Sequence, residues 1–112
     1  MLNTKKLFTK VLSKLTDSGW KTDIPYVAYR KKNGMVLVSC YTAGNKTINT
    51  SYQTLGTLPS GYRPSTTLYT TAGTNSVNCG AAYVSSNGDI GVKTFTSTTA
   101  YFWFQMSFPV TD

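Results

Sequence analysis

Thr99-Ala100-Tyr101-Phe102-Trp103-Phe104-Gln105-Met106-Ser107-Phe108-Pro109-Val110 is the stretch on which the fold turns. In an extended strand successive side chains leave opposite faces of the backbone. Phe102, Phe104, Met106 and Phe108 therefore share one face and Tyr101, Trp103, Gln105 and Ser107 the other. The first set carries no polar handle beyond a thioether and belongs in a core. The second set is amphipathic, which suits a protein interface, a ligand groove or a wet sheet face.

The same period of two runs back through the chain. Tyr26 to Arg30 reads as a strand and Met35 to Thr42 as its partner, with Val36, Val38 and Cys40 on one face. Between them stands Asn33-Gly34, a dipeptide suited to the two left-handed residues of a tight hairpin turn. Val77 to Ser85 and Ile90 to Thr96 are joined by Ser86-Asn87-Gly88-Asp89, a second hairpin of the same kind. Asn45 to Gln53 reads as a polar surface strand and Thr67 to Thr71 as a short one. Leu58 to Pro64 reads as a loop whose entry and exit are fixed by proline. Short strands punctuated by turns predict an all-β fold, an antiparallel β-sandwich of jelly-roll type.

Only the first residues break this pattern. Asn3 to Thr16 has helical spacing, with Phe8, Val11, Leu12 and Leu15 forming an apolar stripe and lysines opposite. Asp17-Ser18-Gly19 closes it. A helix so short is marginal alone in water. We expect residues 1–18 to form a short N-terminal α-helical stalk that packs on itself in an oligomer, and residues 19–112 to form the β head. The N-terminal region has no apolar run of membrane-spanning length, so no membrane association is predicted.

Composition narrows the chemistry. The 112 residues include no histidine, and all four acids are aspartates. A Ser-His or Cys-His nucleophile pair is therefore excluded, as is an ordinary zinc site. A glycosidase centre would need two of four scattered aspartates to converge, and the acids never cluster at calcium-ligand spacing. The chain is read as a non-enzyme without metal or cofactor. Its net charge of +7 is concentrated in the first 32 residues. No nucleic-acid motif accompanies that charge, so it reads as a solvated face, with DNA binding as the alternative. Cys40 and Cys79, both in strand-like stretches, read as free buried thiols, with a disulfide between them as the alternative.

Gly56-Thr57-Leu58-Pro59-Ser60-Gly61-Tyr62-Arg63-Pro64 resembles a turn found in the head domains of bacteriophage tail-fibre, baseplate and prophage minor structural proteins. The order of the surrounding parts is also similar: Gly19-Trp20, the Tyr29–Val38 hairpin, the Ser85–Val92 hairpin and the aromatic strand Tyr101–Phe108. The resemblance spans roughly Gly19 to Val110. It implies a compact β-sandwich head, usually trimeric, on a virion tail appendage made in the bacterial cytoplasm and assembled with other tail proteins. Such heads often bind host-surface polysaccharide; some only cap or trimerise a fibre.

Candidate ligand-binding residues follow. Tyr62 and Arg63 either complete a structural corner or face a ligand, where a guanidinium suits anionic sugars. Trp20 plugs the stalk-to-head junction or stacks on a sugar. Tyr101 and Trp103 lie in a protomer interface or in a ligand groove. Asn87 and Asp89 make their turn or bond sugar hydroxyls.

Overall fold

The computed structural model describes residues 17–75, 79–95, 98–99 and 101–110. The helix expected over Asn3–Thr16, with Phe8, Val11, Leu12 and Leu15, lies outside the described residues. The described residues form ten strands in order: β1 (Lys21–Ile24), β2 (Val27–Lys32), β3 (Met35–Tyr41), β4 (Thr47–Ile48), β5 (Gln53–Thr57), β6 (Leu68–Thr74), β7 (Gly80–Val84), β8 (Asp89–Thr94), β9 (Thr98–Thr99) and β10 (Phe102–Pro109). Eight form one sheet in the order β1-β2-β3-β10-β6-β7-β8-β5, and β4 pairs with β9 in a short ribbon. Every pairing is antiparallel.

The sheet curls until its edge strands meet. Ile24 of β1 lies against Gly56 of β5 so closely that a Cβ on Gly56 would stand 2.5 Å from Ile24 Cγ2. The all-β, antiparallel expectation holds. The arrangement is an antiparallel sheet nearly closed into a barrel. Alternation dictates which face of each strand is buried, but not whether strands also bond across a corner. That corner is where β10 meets β6 through only two residue pairs, Phe102↔Thr74 and Trp103↔Gly73.

The core is the inward face of this curl. Val36, Val38 and Cys40 of β3 meet Phe102, Phe104 and Phe108 of β10, with Ala82, Val84, Ile90 and Val92 of β7 and β8 opposite. Met106 is half-buried against the same cluster. Ile48 of the ribbon is fully buried and closes one end. It is fixed there by the Thr94 hydroxyl, which donates to its carbonyl at 3.1 Å. The Thr42 hydroxyl likewise accepts from the Phe102 amide at 3.1 Å, so both buried threonines are satisfied.

The turns explain the register. Asn33 and Gly34 both have positive φ, 54° and 76°, as a two-residue hairpin of the expected kind requires. At the second hairpin Gly88 alone has positive φ, and its amide donates to the Ser85 carbonyl at 2.8 Å, a turn followed by a bulge. The expected strand over Asn45–Gln53 is instead the two-residue β4, with β5 beginning at Gln53. The Asn49 amide turns to the Gln53 side chain at 2.8 Å, so local side-chain bonding breaks the run. Cys79 is exposed and precedes β7, whereas Cys40 is buried. Burial pushes the Cys40 thiol up to about 12.

Candidate functional site

The outward face of β10 and β3 carries a platform of rings. Trp103 stands directly across from Tyr41 on one side and from Gly73 on the other. Glycine at position 73 is what lets the indole lie down. A Cβ there would come within 2.6 Å of Trp103 Cζ2, and closer still to Cε2 and Nε1. Tyr101 stacks on Tyr41 with centroids 6.1 Å apart and planes 26° from parallel. It also covers Gly44, where a Cβ would sit in ordinary contact at 3.7 Å. Seated in this way, Trp103 remains 44% and Tyr41 54% exposed.

Beside the indole the sheet opens. The Phe102 carbonyl accepts from the Thr42 amide, which sets the hydrogen-bonding phase of β10 against β3. In that phase Phe102, Phe104, Met106 and Phe108 exchange bonds with β3, and the odd-numbered residues direct their amides and carbonyls toward β6. Only Trp103 finds a strand partner there. Gln105 would meet Thr71 had the ladder continued; instead the strands diverge into a cleft of about 550 Å³ lined by Thr71, Ala72, Gly73, Cys79, Trp103, Phe104 and Gln105. An exposed indole next to strand backbone with no ladder partner among the described residues, a primary amide and a hydroxyl is a composition suited to a polar ring with apolar faces.

Tyr101 and Trp103 are thus brought together, and Tyr41 joins them. The other sequence-derived candidates lie elsewhere. Leu58 is buried, and its amide donates to the Gly88 carbonyl at 2.9 Å. Arg63 Nε donates to the Leu58 carbonyl at 2.8 Å and covers Gly88. Tyr62 packs edge-on against Tyr29, centroids 5.3 Å apart, under the Lys31 ammonium. Asp89 accepts from the Thr57 hydroxyl at 2.8 Å. Arg63 thus ties the loop to the second hairpin, Asp89 ties that hairpin to β5 and Tyr62 ties the loop to β2, while Asn87 is exposed at the hairpin's tip. Trp20 is half-exposed toward the far end of β2, with the Arg30 guanidinium 5.8 Å from its ring centroid. Arg30 is itself paired with Asp17, whose carboxyl this contact holds well below the usual range.

Sequence reading missed a second group of rings. Tyr83 packs against Tyr52 at 4.9 Å and Tyr69 at 5.8 Å, and it lies over Gly91 across the strand pair. Lys93 stands 5.0 Å from the Tyr52 ring and 5.6 Å from that of Phe95. The overlooked signal was glycine at outward strand positions, Gly73 and Gly91, each facing an aromatic residue of a neighbouring strand.

Among the described residues no three cysteine or aspartate side chains converge on a possible metal position. The chain matches no protein-family model and no curated protein sequence.

Proposed function

We propose that this chain is the receptor-binding head of a bacteriophage tail appendage, and that it holds a host-surface saccharide on the Tyr41–Tyr101–Trp103 platform. The observation that carries this is the indole seated on Gly73 beside the open β10/β6 cleft. The rings offer flat apolar area to the C–H face of a sugar. The cleft offers backbone amides and carbonyls, the Gln105 amide and the Thr71 hydroxyl to its hydroxyl groups. The likeness of residues 56–64 to the turn in phage heads supports the same reading.

In this reading the two-pair link between β10 and β6 is the corner of a jelly-roll-like sandwich. The chain then trimerises with Phe8, Val11, Leu12 and Leu15 as contacts between protomers, while Asp17 and Ser18, expected as the end of a helix, are held to β2 by the Asp17–Lys32 bridge and the Ser18 amide on the Lys31 carbonyl. Each site is shallow, so three sites on one rigid tip supply avidity that a single head lacks. Binding of the chain to host cell-wall or capsular polysaccharide tests the proposal. Trp103→Ala and Tyr41→Ala are each expected to weaken retention at least tenfold, about 1.4 kcal/mol. Retention equal to wild type in both variants would refute it.

One observation favours a second reading. Met35 and Leu37 are exposed on the same outward face of β3 as Tyr41, which suits a contact between protomers of a capping domain without ligand. Sedimentation combined with Trp103 quenching separates the two. An oligomer that shields Trp103 from a soluble quencher supports the interface.

A further inference from the structure

The two groups of rings are parts of one belt. Across the outward face the registers align Tyr41, Trp103 and Gly73 in a single row. The β6/β7 and β7/β8 registers, continued by one step, carry that row through Cys79 to Phe95, and the Phe95 amide bonds the Cys79 carbonyl at 3.2 Å. Lys93 and Tyr52 occupy the next row, Tyr83 and Tyr69 the one after. Trp103 and Lys93 sit on strands three places apart, about 14 Å at the usual strand spacing. The belt is long enough for an oligosaccharide rather than a single ring.

Its far end differs from its near end in one respect, which is charge. Lys93 is framed by Tyr52 and Phe95, and no carboxylate of the described residues lies within ion-pair distance of it. Asp89, the acid on the strand and face of Lys93 and four residues before it, is engaged by the Thr57 hydroxyl. The rings restrict where the ammonium sits but leave its N–H groups able to donate. Tyr69, the most exposed ring of the belt at 70%, and Tyr83 continue the apolar surface beyond it.

We infer that Lys93, with Tyr52, Tyr83 and Phe95, forms a second subsite that takes an acidic sugar residue of the polymer whose neutral residue rests on Trp103. The inference rests on the saccharide reading for its ligand class and adds the charge of the ligand. A carboxylate beside a sugar's apolar face matches an ammonium beside aromatic faces. Nucleic acid fits less well. A phosphate backbone recruits several cations along its track, and Lys93 is the one cation among the described residues of β5 to β8 in these rows. Tyr83 is also inclined by 68° to Tyr52 and 56° to Tyr69, so the rings form a cup rather than steps on which successive bases stack.

The test is titration of the full chain with an oligogalacturonate and with its neutral methyl ester, at two salt concentrations. Wild type is expected to favour the acidic form at least tenfold, with the preference shrinking in high salt. Lys93→Gln is expected to abolish the preference while neutral binding persists, and Lys93→Arg to retain it. Equal affinity for the two forms, or an undiminished preference in Lys93→Gln, would overturn the inference. So would an oligothymidylate that binds this face more tightly than the acidic sugar. Failure of the saccharide platform has a different signature: acidic binding that depends on Lys93 but is untouched by Trp103→Ala sinks the Trp103 platform and leaves the anionic subsite standing.

Discussion

Replacing Gly73 with alanine isolates the seat of the indole from the indole itself. Gly73 has no positive φ, so alanine meets no backbone penalty. In an otherwise ordinary strand the change should stabilise by roughly 0.5–1 kcal/mol, because glycine loses more freedom on folding. Here the new methyl would stand 2.6 Å from Trp103 Cζ2, where ordinary carbon contacts begin near 3.5 Å. The ring must therefore lift by about 1 Å or swing out. An off-rotamer side chain costs about 0.5–1.5 kcal/mol. Re-exposing some 40 Å² of ring and strand costs on the order of 1 kcal/mol at the usual area coefficient. The losses exceed the gain, and the net expectation is destabilisation by about 1 kcal/mol. Urea denaturation measures the stability. Trp103 emission, read in a Trp20→Phe background, should shift to longer wavelength, and polysaccharide retention should fall although no ligand-facing atom was removed. A variant more stable than its parent, with unchanged emission and retention, would refute the seating argument.

Other expectations follow from the same contacts. Arg63→Ala should cost about 1–2 kcal/mol through the lost bond to the Leu58 carbonyl while leaving saccharide retention intact; lost retention at unchanged stability would return Arg63 to a ligand site. Gly88→Ala should be worse, about 3 kcal/mol or more, because the φ of +91° disfavours a side chain and a Cβ would meet the Leu58 carbonyl at 2.6 Å. Phe108→Ala should cost about 3–5 kcal/mol in urea denaturation, since the ring is fully buried between β3 and the opposite wall. Alkaline pH should destabilise the fold. Cys40 and Tyr29 are both pushed up to about 12, Cys40 by burial and Tyr29 by burial reinforced by its bond to Asp23. The unfolded chain loses these protons first, so stability is full below about pH 9 and falls as pH rises toward 12. Urea midpoints from pH 8 to 11 measure the slope, and Cys40→Ala should flatten it; a midpoint constant over that range would contradict the burial of both groups.

What was legible from the residues and what was not divides along sequence distance. Alternation in Tyr101–Phe108 and Met35–Tyr41 determined by itself which side chains form the core, because the pleat fixes facing within a single strand. Asn33-Gly34 and Gly88 marked both hairpins, because their backbone conformations are locally dictated. Trp103 and Tyr101 stood out as outward aromatics for the same reason. The tertiary structure alone decided that the sheet curls until Ile24 meets Gly56, and that β10 bridges to β6 through two pairs before the strands part. It also decided that Trp103 lands on Gly73, that Tyr83 lands on Gly91, and that Lys93 falls between Tyr52 and Phe95. These meetings join residues up to about 40 positions apart, and they depend on strand order and register, which no local period encodes.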